Sequence, residues 1–178
     1  MIFKKGLSFL ELIIALSIIS VGLVGLIQAS NTALELYYRT SRQIIATNLA
    51  KSLLAEIISR DFVDPDDPTN TILGPNMGSS QMETRCGSAG NVFDDVDDYN
   101  GTSENPPRTV NGTVMNGTAG TPDYSYFTRN ATVIYVNFLA DNTYDETQPQ
   151  TPTDYKKITA TATVSKVKNI SVYGYKTK

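Results

Sequence analysis

Asp94, Asp95, Asp97 and Asp98 crowd five consecutive positions between Phe93 and Tyr99. Carboxylates this close repel one another unless a cation or backbone donors intervene. Calcium, a hard ion that takes oxygen ligands, is the cation this chemistry suits. The spacing departs from an EF-hand loop, because the fifth position from Asp95 is Tyr99 and no glutamate closes the loop. The same residues also read as a solvated turn, or as a capped loop pinned by Phe93 and Tyr99. A second acidic stretch, "DPDDPTN" from Asp64 to Asn70, is a weaker candidate for a cation. The sequence requires no cofactor, and calcium is the one candidate.

Glu11 raises a different question. It is the single charge in the 21 residues from Leu7 to Ile27. A carboxylate in hydrocarbon costs several kcal/mol and is usually paired or functional. The chain has no histidine, so the commonest general base and metal ligand is missing. No nucleophile constellation and no glycine-rich phosphate loop appear, and a non-enzymatic role is expected. Cys86 stands alone, so no disulfide can form within the chain.

The elements that carry these residues follow from pattern. Leu7–Ile27 is apolar all round and, as a helix, spans roughly 31 Å at about 1.5 Å per residue, close to a bilayer core. Beyond it, Leu34, Tyr38, Ser41, Ile45, Leu49, Leu53 and Ile57 recur at steps of three or four, with Arg39, Arg42, Lys51, Glu56 and Arg60 largely off that stripe. No proline precedes Pro65, so one helix is expected from about Leu7 to about Ser59. The turn-rich stretch 61–107 reads as an irregular acidic loop region.

Strands are expected over 108–178. The segment "RTVNGTVMNG" is weak, whereas Ser125–Leu139 is dense in β-branched and aromatic residues. In "KKITATATVSKV", Ile158, Ala160, Ala162 and Val164 alternate inward, and a turn near Lys166–Asn169 leads to "NISVYGYK" as a hairpin. The fold class is therefore α+β: a long N-terminal helix, transmembrane in its first half, packed on a small C-terminal antiparallel sheet.

A short basic leader ending in Gly6, then "LSFLE" with Glu11 fifth after the glycine, then about twenty apolar residues, resembles the class III signal peptide of type IV pilins and pseudopilins. The long helix and C-terminal sheet are similar to the rest of that fold. A second, narrower resemblance is carried by "TRCGSAGNVFDDVDDYNG", Thr84–Gly101, which is similar to a segment of minor pilins of the mannose-sensitive haemagglutinin (MSHA) pilus.

The resemblance implies a cleaved cytoplasmic leader 1–6, and the residue pattern divides the rest into a membrane half-helix 7–27, an amphipathic half-helix 28–60, the loop region 61–107 and the sheet region 108–178. The resemblance also implies cutting after Gly6 by a prepilin peptidase and methylation of the new amino terminus at Leu7, where the family usually has Phe or Met. Loss of Lys4 and Lys5 with the leader would leave 13 basic against 18 acidic residues, a charge of −5. That balance argues against a nucleic-acid partner. The implied partners are other pilin subunits, through the N-terminal helix, with the peptidase, the inner-membrane assembly platform and membrane lipid.

Lys4 and Lys5 favour a cytoplasmic N-terminus and an exported C-terminal part. The resemblance implies a single-pass inner-membrane protein that later enters a pilus. The new ammonium at Leu7 would lie four residues from Glu11. In a bundle of parallel helices the acid can meet a neighbour's ammonium and set axial register. Pairing with its own terminus at i, i+4 stays open. Gly22 and Gly25 read as a weak point of the helix, as a close helix contact, or as ordinary membrane-helix glycines. The major pilins' frequent mid-helix proline is missing, which suits a minor subunit. A minor pseudopilin of a type II secretion system and a filament-tip adhesin are the alternative readings.

Overall fold

A computed structural model describes residues 9–65, 73, 83–85, 92–118, 120–140, 143–145, 147, 152–165 and 167–178. Gly6, Leu7, Cys86 and most of "DPDDPTN" lie outside the described residues.

Helix α1 runs unbroken over Phe9–Ile58, as the uninterrupted pattern predicts. The chain divides into a first unit ending at Ser41 and a second unit, Arg42–Lys178. In the first unit the apolar side chains from Phe9 to Ile27 are exposed on every side of the helix. This stretch is long and apolar enough to cross a membrane. Its hydroxyls are satisfied within the helix: Ser17 donates to the Ile13 carbonyl at 2.8 Å and Ser20 to that of Leu16 at 2.7 Å. Glu11 sits in the first turn, exposed.

In the second unit the helix buries one face against a sheet. The strands are β1 (Ser103–Glu104), β2 (Phe127–Tyr135), β5 (Tyr155–Val164) and β6 (Ile170–Thr177), ordered β1-β2-β5-β6 and antiparallel throughout. β3 (Asn137–Phe138) and β4 (Tyr144–Asp145) form a separate pair. The alternation in β5 is as expected, with Ile158, Ala160, Ala162 and Val164 all buried. The segment "RTVNGTVMNG" contributes single bridges, Arg108 with Val114 and Asn116 with Asp123, and no strand.

Two apolar clusters join helix to sheet. Leu53 and Ile57 pack with Phe93, Val96, Tyr99, Ala131, Val133, Ile158 and Ala160. Ala46, Leu49 and Ala50 pack with Phe127, Ala162 and Val164. The alanines on both faces let the helix lie close, since a large side chain at either would hold the layers apart. The covered stripe begins near Ile45, while Leu34 and Tyr38, expected on the same stripe, are exposed. At the helix end, where carbonyls lack intrahelical donors, Lys176 of β6 donates to the Ile58 carbonyl at 2.9 Å.

Glu56 departs from expectation. Placed off the apolar stripe in the sequence, it is buried. Its carboxylate receives Arg85 and the Tyr99 hydroxyl, the latter at 2.9 Å, so its charge is compensated inside the fold.

Candidate functional site

Backbone pairing brings three chain segments to one place beside the helix end. The Asp61 N–H donates to the Asp94 carbonyl at 3.1 Å, and Val96 returns a bond to the Asp61 carbonyl at 3.0 Å. The Phe93 N–H donates to the Thr84 carbonyl at 3.3 Å. Residues near 61–64, 83–85 and 92–98 therefore converge, and with them the side chains of Asp64, Glu83, Asp94, Asp95 and Asp98.

The run 94–98 is wound around its own carboxylates. Asp95 Oδ1 accepts from the N–H of Asp97 at 2.5 Å and of Asp98 at 3.1 Å. Asp98 Oδ2 accepts from the N–H of Asp94 at 3.0 Å and of Asp95 at 3.1 Å. These bonds hold a short 3-10 turn, Asp97–Tyr99. Gly101, at φ 76°, turns the chain into β1 and donates its N–H to the Ala131 carbonyl of β2 at 3.1 Å, and Asn100 Oδ1 accepts the Val133 N–H at 2.9 Å. Of the readings the sequence left open, the geometry departs from the solvated turn and agrees with a capped loop: Asp95, Asp97 and Asp98 are 3%, 5% and 1% exposed. Backbone donors and the packing of Phe93 against Tyr99, ring centroids 5.0 Å apart, carry it inside.

The four aspartates do not act as one set. Asp97 turns away to Lys156 of β5, whose Nζ lies 2.8 Å from Asp97 Oδ2 and also donates to the Phe62 carbonyl. Lys156 is wholly buried, with its ammonium over the rings of Phe62 and Tyr135. In place of Asp97 the fold supplies Asp64 and Glu83. One carboxylate oxygen from each of Asp64, Glu83 and Asp94 lies within 4.8 Å of the others, and Asp94, Asp95 and Asp98 form a second such group. The remainder of "DPDDPTN" beyond Pro65 lies outside the described residues.

The electrostatics are those of crowded, desolvated acids. Burial pushes the Glu83 carboxyl up to about 9, helped by its hydrogen bond with Asp98 and by the charges of Asp98, Asp94 and Asp64. Burial, then Asp98 and Asp97, raise Asp95 to about 7 against the pull of its backbone donors. Asp97 is raised by burial and held back by Lys156. Such a pocket takes up protons or a cation.

A second buried network anchors the pocket's middle segment. Arg85 reaches both Glu56 and Glu104, the latter at 2.5 Å, and donates to the Thr109 carbonyl at 3.1 Å. Arg129 of β2 also binds Glu104, at 2.5 Å. Glu83, Arg85, Glu56 and Lys156 were not singled out from sequence as site residues. Two of them carried a local signal: Glu56 lies three residues past Leu53, and Lys156 lies two residues before Ile158 on the inward phase of β5.

No known protein family, curated protein or solved structure matches the chain.

Proposed function

We propose that the chain is a minor type IV pilin of the MSHA kind, a non-catalytic filament subunit. A prepilin peptidase cuts it after Gly6 and methylates Leu7. The subunit waits in the inner membrane with its C-terminal part in the periplasm, then enters, primes or caps a pilus through the assembly platform. The observation that carries this reading is the contrast within one helix. From Ile45 onward its apolar face is covered by the chain's own sheet, whereas from Phe9 to Ile27 apolar side chains are exposed all round. Such a surface requires lipid or other helices around it.

Bundled helices of like subunits meet that requirement after the membrane is left. Gly22 and Gly25 suit it, because a Cβ at either would meet nothing within 4 Å in the subunit itself and leaves room for a neighbour's backbone. In this reading Glu11, in the first turn of the helix, receives the Leu7 ammonium of an adjacent copy and so sets register. A Glu11→Ala subunit should reach the membrane normally and be depleted from sheared filaments. Entry into filaments at the wild-type level would overturn the register role. The lack of a mid-helix proline serves a minor pseudopilin of type II secretion equally well. Deletion separates the two, since a pseudopilin is needed for enzyme export and leaves surface pili intact. A tip adhesin would instead lose attachment, and not piliation, when 61–107 is altered.

A further inference from the structure

We infer that Asp64, Glu83, Asp94 and Asp98 hold a calcium ion that fastens three chain segments together beside the end of the helix. The first support is geometric. Calcium binds oxygen at about 2.3–2.6 Å, so oxygens sharing one ion lie at most about 5 Å apart. The carboxylate oxygens of Asp64, Glu83 and Asp94 lie within 4.8 Å of one another. Asp98 hydrogen-bonds Glu83 and forms a second such group with Asp94 and Asp95.

The second support is Glu83 itself. It is 3% exposed, and its Oε1 has no hydrogen-bond partner among the described residues. A buried acceptor left unmatched is costly, and a cation in the pocket satisfies it. The rest of the Glu83 carboxyl faces Asp98. Two carboxylates share such a contact only with a proton or a cation between them.

Among the described residues, the basic side chains near the pocket have other partners, Arg60 donating to the Tyr99 hydroxyl at 3.3 Å. Lys156 serves Asp97 and the Phe62 carbonyl, Arg85 serves Glu56 and Glu104, and Lys176 serves the Ile58 carbonyl. The donors are all oxygen, which disfavours zinc. Magnesium holds its waters and demands octahedral geometry, whereas calcium accepts an irregular set of carboxylates drawn from separate segments. The ion would order Glu83, and with it Arg85 two residues on, which spans Glu56 of the helix and Glu104 of β1. This inference does not rest on the filament reading.

The test uses the full chain in detergent micelles, stripped with EDTA and titrated with calcium chloride by calorimetry, with thermal unfolding followed by tyrosine near-UV circular dichroism. One calcium per chain should bind and raise the unfolding midpoint, and magnesium chloride should bind at least roughly tenfold more weakly. Glu83→Gln should lose roughly tenfold or more in calcium affinity, while its midpoint in EDTA equals or exceeds that of the wild type because a buried acid is gone. Absence of calcium binding to the folded wild type at millimolar concentration would overturn the inference. So would equal binding of magnesium, or a Glu83→Gln chain that binds calcium as the wild type does. If that variant does not fold, the wild-type titrations with the two ions decide.

Discussion

Replacing Glu56 by alanine removes the acid to which both Arg85 and Tyr99 are bonded. Breaking a buried ion pair by deleting one partner costs about 3–5 kcal/mol, because the other charge is left desolvated. Arg85 keeps Glu104 at 2.5 Å and the Thr109 carbonyl at 3.1 Å, so its charge stays partly compensated. The loss should therefore fall at the low end, about 3 kcal/mol. For a domain of this size, about 3 °C is lost per kcal/mol, which gives a fall of roughly 9 °C in unfolding midpoint. The chain has ten tyrosines and no tryptophan, so near-UV circular dichroism of the tyrosines in micelles is the natural assay. Arg85→Met should cost a comparable amount. The double variant should cost clearly less than the sum, with a coupling above about 1 kcal/mol. A Glu56→Ala loss below about 1 kcal/mol, or additive single changes, would refute the claim that this pair ties the 83–85 segment to the helix.

Leu53, 1% exposed, should cost about 3 kcal/mol as Leu53→Ala, whereas Leu34→Ala, at 52% exposure, should leave the subunit's midpoint unchanged and lower only its recovery in filaments. A reversed order of stability losses would contradict the covered stripe. Burial, reinforced by Glu56, raises the Tyr99 phenol from 10 to about 12. Between those values the folded chain keeps a proton that the unfolded chain has lost, so stability falls as pH rises, by up to about 1.4 kcal/mol per pH unit. Tyr135 is raised to about 12 by burial and then by Asp97 and Asp95, so Tyr99→Phe should remove only part of that slope. An unchanged slope across the window would count against the buried phenol.

The long helix was legible because its signals are local: an apolar run, then steps of three and four with no proline. The reach of the covered stripe was less so, because Leu34 and Tyr38 repeat the same spacing as Leu49 and Leu53 without being covered. Small residues such as Ala46 and Ala50 carry little hydrophobic signal, yet they set how close helix and sheet come. In β5 strict alternation announced both the strand and its buried face. The acidic run was visible as a cluster, but its burial depends on pairing across the chain, through Asp61, Thr84 and Lys156. For the same reason Glu83, the lone acid in "QMETRCG", could not be joined to Asp94 and Asp98 from spacing alone.

The most direct test of the filament account is mass spectrometry of the N-terminal peptide from a sheared surface-filament fraction. The account predicts a peptide beginning at N-methylated Leu7. A chain that begins at Met1 and stays in the membrane fraction would contradict it, since Glu11 would then lose the ammonium it is proposed to meet.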